Sequence, residues 1–280
     1  MAKINVLVSP FVKWVGGKRQ LLPAIKALLP ANIHKYKYVE PFVGGGAVLF
    51  HLQPKKALIN DFNEELINVY LCIKNNVDDL IESLRQHKNE AEYFYAVRAL
   101  DRSSEFSRLS DIERASRIIF LNKTCFNGLY RVNNSGEFNA PFGRYKSPNI
   151  INEPVLRAVH NYLSSNNIEI IQGSYESVLS SLKSNAFVYL DPPYHPVSET
   201  SNFTGYIQGG WGEEEQISLR EWCDKLNSKG IKFLLSNSYS DFTLEQYRNY
   251  DISIVEANRM VNANSNNRGG VREILVKNYE

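Results

Sequence analysis

The sequence has little cysteine, no internal repeat and no long apolar run, and each shortage excludes a class of protein. Its three cysteines in 280 residues, Cys72, Cys125 and Cys223, are odd in number, far apart and in no C-x-x-C pair. Neither a disulfide framework nor a zinc site is indicated, and no metal is expected. No segment reaches about eighteen apolar residues and the N-terminus has no hydrophobic signal core, so a soluble, cytoplasmic chain without membrane contact is expected. The one biased tract, Asn262-Ala-Asn-Ser-Asn-Asn-Arg-Gly-Gly270, reads as a loop. With 43% hydrophobic and 22% charged residues, the chain is not disordered, collagen-like or coiled-coil.

Acid is also missing, but only locally. The net charge of 32 − 30 = +2 hides a first stretch, residues 1–39, with Lys3, Lys13, Lys18, Arg19, Lys26, Lys35 and Lys37 and no carboxylate before Glu40. Residues 116–150 carry Arg117, Lys123, Arg131, Arg144 and Lys146 against Glu137 alone. Two stretches can therefore build a positive face while the total stays small.

Short apolar runs bounded by turn residues alternate with helical patterns, the signature of a mainly parallel sheet covered on both faces. The expected strands are Tyr36–Val39, Ala57–Asn60, Ile168–Gln172, Ala186–Leu190, Lys232–Ser236, Ile252–Glu256 and Arg272–Lys277, the last two an antiparallel pair at the edge. Between Phe62 and about Ser165 the pattern gives helices (Glu64–Lys74, Val77–His87, Glu92–Leu100, Ser110–Leu121) and then a Gly/Asn/Pro-rich limb from Asn127 to Pro148. The expectation is one α/β domain, residues 1–74 and 151–280, interrupted by a mostly helical insertion, residues 75–150, that serves binding.

The first strand runs into Glu40-Pro-Phe-Val-Gly-Gly-Gly46 and an apolar helix start, Ala47–Leu52. A strand, a glycine turn and a helix N-terminus bring backbone N–H groups close to a cofactor at the carboxyl end of a sheet. The spacing is not G-x-G-x-x-G, which disfavours a dinucleotide. Asp61 closes the second strand, where a carboxylate accepts from both ribose hydroxyls. Together these suggest a nucleoside cofactor without a pyrophosphate. The strand Ala186–Leu190 then delivers Asp191-Pro-Pro-Tyr194, a tetrad that a plain turn does not require.

At these motifs the sequence resembles the alpha-class amino-methyltransferases of the Dam type, DNA adenine-N6 methyltransferases that use S-adenosylmethionine, and in particular their restriction–modification members. The resemblance covers nearly the whole chain in the family's order: Lys13-Trp-Val-Gly-Gly-Lys18, the glycine turn, Asn60-Asp61-Phe-Asn63, Phe126-Asn-Gly-Leu-Tyr-Arg131, Gly136-Glu-Phe-Asn139, Pro141-Phe-Gly-Arg-Tyr145, the tetrad and Ser201-Asn-Phe-Thr204. It implies a Rossmann-like methyltransferase sheet with an inserted DNA-recognition domain, double-stranded DNA as partner and GATC as target. It places Trp14, Lys18, Phe42, Gly44, Gly46, Asp61 and Asp191 at the cofactor, with Tyr175 and, in place of the acid some relatives use, Ser174. A DNA-binding regulator that has lost catalysis is the alternative, disfavoured by the intact tetrad and Asp61.

The chemistry accounts for the residue types. The lone pair of adenine N6 is delocalised into the ring, so acceptors must hold its two hydrogens: the Asp191 carboxylate takes one and the backbone carbonyl of Pro192 the other. Tyr194 offers a face on which an extruded base stacks. Transfer is a direct in-line displacement, and because proton loss follows attack Asp191 needs no unusual pKa. Cytosine-C5 chemistry needs a nucleophilic cysteine, typically after proline, and Leu71, Thr124 and Trp222 precede the three here. Cytosine-N4 and protein glutamine methyltransferases usually begin the tetrad with Ser and Asn.

In the limb, Arg131 suits guanine O6 and N7, Leu129 and Pro141 a thymine methyl, and Phe126 the space left by a flipped adenine. Asn127 and Asn133 are candidates for bases or phosphates, and Arg144 and Lys146 for phosphates. Tyr145 and, through the family, Lys13 complete the DNA-contacting set. The loop Ser198–Trp211 is expected to close over DNA and cofactor.

Overall fold

The computed structural model describes residues 4–196, 211–258 and 270–280. Among the described residues seven strands form one sheet: β1 (Lys37–Glu40), β2 (Lys56–Asp61), β3 (Asn167–Gln172), β4 (Ala186–Leu190), β5 (Lys232–Ser238), β6 (Asp251–Asn258) and β7 (Gly270–Lys277), in the order β3-β2-β1-β4-β5-β7-β6. The first five run parallel, and β7 is antiparallel to both β5 and β6. The expected edge pair is present, with its later strand lying inside. All five residues of β4 are buried, as a central parallel strand covered on both faces requires. The order reverses at β1, which pairs with β2 on one side and β4 on the other. Ligands bind at the carboxyl ends of strands beside such a switch point. Here β1 ends in Glu40, β2 in Asp61, and β4 is followed by Asp191.

The helices are α1 (Leu22–Leu28), α2 (Ala47–Leu52), α3 (Glu64–Asn75), α4 (Val77–Arg85), α5 (Ala91–Ala99), α6 (Asp111–Thr124), α7 (Glu153–Ser165), α8 (Tyr175–Ser180), α9 (Glu213–Ser228) and α10 (Asp241–Gln246). One apolar cluster joins α2, α3 and α7 to the helices α4–α6, and a second packs α8 and α9 on the other face of the sheet. Asn63 caps α3 by accepting from Leu66 N–H at 2.9 Å, and Ser110 with Glu113 forms a capping box on α6.

The limb after α6 makes only isolated bridges, Val132 with Phe138 and Cys125 with Phe142. Phe138 fastens it: its N–H donates to Asp101 Oδ2 and its carbonyl accepts from Arg102 Nη2, both at 2.8 Å.

Two basic side chains counted toward a positive face do not belong to it. Arg117 is buried, pairs with Asp101 at 2.8 Å and donates to the carbonyls of Val97 and Arg98. Lys18 is also buried; a cation that loses water must find an anion, and it does.

Candidate active site

Lys18 follows the Gly16-Gly17 turn and is only 5% exposed. Its Nζ donates to the Gly16 carbonyl at 2.5 Å, lies 2.9 Å from Asp191 Oδ1 and sits 4.5 Å from the centre of the Tyr194 ring. Expected beside a cofactor, it is placed against the tetrad itself. Ser236, on β5, donates to the same Oδ1 at 3.0 Å and exchanges a hydrogen bond with Tyr189. Among the described residues nothing reaches Asp191 Oδ2. Burial pushes the Asp191 carboxyl above its ordinary range, and Lys18 and Ser236 oppose the rise. The chemistry does not require this rise; the depth of the site produces it.

The rest of the tetrad is held equally firmly. Gln216, on α9, donates to the Pro193 carbonyl at 2.8 Å and accepts from Asn237 Nδ2, while Asn237 Oδ1 takes the His195 N–H. The Pro192 carbonyl has no donor among the described residues. Tyr194 donates its hydroxyl to Glu273 Oε2, on β7, at 2.6 Å. His195 stacks on Phe242, with ring centres 4.5 Å apart.

The glycine turn faces this group. Gly44 N–H donates to Asp61 Oδ2 at 2.9 Å, and Asn63 N–H to Oδ1 at 3.0 Å. Burial raises Asp61, and those amides oppose it. Gly44 and Gly46 have φ of +49° and +72°, which glycine adopts without strain. A Cβ on Gly44 would fall 2.8 Å from Trp14 Cδ1, so the indole lies directly on the turn, and its ring stacks on Tyr130 at 4.6 Å. Asn60 clasps the carbonyls of Pro41 and Gly173 together while its buried Oδ1 has no partner among the described residues. Glu40, below the turn, is raised well above the usual range by burial; Tyr38 opposes, and Asp191 adds to the rise.

Phe42 and Tyr175 meet at 5.1 Å, with Trp211 against both. Tyr175 also donates its hydroxyl to Ser218 at 3.2 Å. Ser174 caps α8 by accepting from Ser177 N–H, and among the described residues one lone pair and its O–H remain for a ligand. Residues 197–210, including Ser201-Asn-Phe-Thr204, and 259–269 lie outside the described residues; of the expected closing loop only Trp211 is described.

Helix α6 meets the N-terminal segment through Asn122, a buried amide that accepts from Lys13 N–H and donates to the carbonyls of Lys13 and Gly128. Lys13 is exposed beside it, as are Phe126, Asn127, Pro141, Arg144 and Tyr145, while Leu129 is half-buried. Asn139 grips Arg131 through Nε and Nη2, at 2.5 and 3.0 Å, and Nη1 has no partner among the described residues. Asn133 is engaged within its own turn, where its Oδ1 accepts from Ser135 and Glu137 N–H and its Nδ2 donates to Glu137. Ser236, Asn237, Gln216, Glu273, Asn60, Asn122 and Asn139 carry no local sequence signal of these roles beyond Asn60 and Asn139 lying within motifs.

A family model described as D12 class N6 adenine-specific DNA methyltransferase matches residues 14–261. The chain belongs to this family. The methyltransferase is 45% identical over 281 residues to the Type II methyltransferase M1.LlaDCHI of Lactococcus lactis subsp. cremoris, covering 100% of this chain and 98% of the relative. It is 43% identical to the Type II methyltransferase M.MjaIII of Methanocaldococcus jannaschii (97% and 99% covered) and 34% identical to the DNA adenine methylase of Escherichia coli K12 (95% and 94%). Its activity is therefore adenine-N6 methylation, its substrate DNA, and its sheet the Rossmann-like one of the methyltransferases. Among the described residues no helix is long and apolar enough to cross a membrane, and no cluster of His, Cys, Asp and Glu suits a metal.

Proposed function

We propose that the enzyme transfers a methyl group from S-adenosylmethionine to N6 of an adenine flipped out of duplex DNA, within GATC, and that residues 75–150 form its target-recognition unit. One observation carries the catalytic part. Asp191 Oδ1 is taken by Lys18 and Ser236 and the Pro193 carbonyl by Gln216, so among the described residues Asp191 Oδ2 and the Pro192 carbonyl are the acceptors left open, beside the sheet's switch point. An amino group with two hydrogens matches two such acceptors.

The cradle fits the cofactor. Each Asp61 oxygen accepts one amide N–H and keeps a lone pair for a ribose hydroxyl. The turn at Gly44 leaves no room for a Cβ beneath Trp14, and the backbone there can approach a ligand closely. Trp14, Phe42, Gly44, Gly46, Asp61 and the Ser174–Tyr175 turn would hold it, with Lys18 and Asp191 at its reacting end. When bound, S-adenosylmethionine supplies an electrophilic methyl group on a sulfonium sulfur.

Tyr194 holds the adenine flat, and the two acceptors turn the N6 lone pair out of conjugation. Once N6 carried the methyl group, with the electron pair of the broken methyl–sulfur bond left on sulfur, the cationic nitrogen would lose a proton to Asp191 Oδ2, which would pass it to water. Burial favours this by making the carboxylate a stronger base, and Lys18 keeps it ionised beforehand. Extrusion of the base costs a few kcal/mol, and Phe126, 54% exposed on the limb, suits the role of filling the gap. For GATC, Asn139 takes Nε and one Nη2 hydrogen of Arg131, which leaves the Nη1–Nη2 end for two parallel bonds to guanine. Lys13, Leu129 and Pro141 join it as base contacts. Arg144 contacts phosphate, with Asn127 and Tyr145 at the same surface.

The test is transfer of labelled methyl to a duplex with one GATC and to a duplex of equal composition without it, by wild type and Asp191→Ala. Label is expected only with wild type and GATC, with cofactor binding kept in the variant. Equal labelling of both duplexes would refute the GATC assignment, and turnover by the variant the role of Asp191.

A further inference from the structure

We propose that Glu273 is a positioning residue for catalysis, acting through the hydroxyl of Tyr194 on the ring that faces the reacting adenine. It rests on the assignment of Tyr194 as the stacking face. Glu273 lies in β7, opposite Ser238 of β5 and Val255 of β6, and is 79 residues from Tyr194 in sequence. The edge hairpin, whose strand β7 lies inside β6, is what brings this carboxylate to the loop after β4.

Two physical effects follow. A tyrosine ring pivots about its Cα–Cβ bond unless its far end is held, and the 2.6 Å bond to Glu273 Oε2 holds it. The acceptor is also a charge. A neutral amide could accept from the hydroxyl, and it would spare the cost of a second carboxylate near Asp191. A carboxylate draws the phenol proton toward itself and pushes electron density into the ring, whose face then attracts positive charge more strongly. The ring already faces a cation, the Lys18 ammonium at 4.5 Å. Burial raises the Tyr194 hydroxyl well above its ordinary range, and Asp191 and Glu273 push the same way, so it remains a donor.

Adenine is neutral when it binds and cationic while N6 carries the new methyl group and still both of its hydrogens. An electron-rich face therefore favours the transition state over the bound ground state, so Glu273 acts on the rate of transfer and not on affinity.

The experiment compares Glu273→Ala, Glu273→Gln, Tyr194→Phe, Tyr194→Ala and the double variant Glu273→Ala/Tyr194→Phe in single-turnover transfer, with cofactor and DNA dissociation constants measured alongside. Glu273→Ala and Tyr194→Phe each remove the same bond, to a charged acceptor, and each is expected to slow transfer by about 10- to 100-fold, with both dissociation constants within about threefold of wild type. The double variant should be no slower than either single one, and Glu273→Gln should recover part of the rate. Tyr194→Phe leaves β7 untouched, so it decides the matter if Glu273→Ala fails to fold. Wild-type rates in Tyr194→Phe, multiplying effects in the double variant, or a loss seen only in binding would overturn the proposal. Wild-type turnover by Tyr194→Ala would instead overturn the stacking assignment beneath it.

Discussion

Replacing Asp191 with asparagine keeps the shape of the side chain and inverts the polarity of its open edge. Oδ1 faces Lys18 Nζ at 2.9 Å and Ser236 Oγ at 3.0 Å. Lysine can only donate, so the asparagine oxygen must take that side and its NH₂ must occupy the place of Oδ2. There a donor meets the N6 hydrogens where an acceptor is required. Loss of one oriented group that stabilises transition-state charge costs about 10²–10³ in kcat, and a donor facing a donor adds to it, so a loss of at least about 10³ is expected. Lys18 also loses its counter-charge. Removing one partner of a buried pair costs about 3–5 kcal/mol, and the lower end applies because Asp191 is 19% exposed and Gly16 and the Tyr194 ring still hold the ammonium. At about 2–4 °C per kcal/mol, Tm should fall by about 6–12 °C, leaving the enzyme folded at 25 °C. Single-turnover transfer with saturating cofactor and DNA, beside thermal melting, measures both. A folded Asp191→Asn enzyme within about tenfold of the wild-type rate would refute the assignment of Oδ2 as the N6 acceptor.

Gly44→Ala should cost about 1–2 kcal/mol for its left-handed backbone and push Trp14 off the turn, weakening cofactor binding by about tenfold or more in titration calorimetry; unchanged affinity would remove the turn from the cofactor site. Transfer needs Asp191 ionised, and burial raises its pKa, so activity falls as pH drops through a value above the ordinary aspartate range. Lys18→Met removes the opposing cation and should move that acid limb further up; a limb that stays in place contradicts the pairing. The linked effect on stability has the opposite sense: Asp61 and Asp191 hold protons more tightly folded than unfolded, so they favour the fold less as pH rises through the window between the two values. Arg131→Ala should relax sequence choice at its base, by about 1–3 kcal/mol of lost discrimination, while Arg144→Ala weakens binding alike on all sequences; equal, uniform losses would contradict the division between base and phosphate contacts.

The parts of this architecture visible in the sequence are those encoded by contiguous residues. Strand β4 coincides with Ala186–Leu190 because five consecutive buried apolar residues end at a Pro-Pro stop. The glycine turn and helix α2 are equally local. The helices α4, α5 and α6 emerge within a few residues of their expected bounds because each carries its own apolar face, and α6 its own cap. What escaped depends on partners distant in sequence. Ser236 meets Asp191 across 45 residues and Glu273 meets Tyr194 across 79, and the strand order that joins them is not written in either segment. Lys18 and Arg117 looked like parts of a positive face because a count of charges along the chain cannot register burial.

The most direct test is a crystal structure of the enzyme with a GATC duplex and a cofactor analogue that has no transferable methyl group. The expected result is the adenine outside the helix on the Tyr194 ring, its N6 about 2.7–3.2 Å from both Asp191 Oδ2 and the Pro192 carbonyl, with Lys18 and Ser236 still on Oδ1. An adenine left stacked in the duplex, or held with N6 turned away from both acceptors, would contradict it.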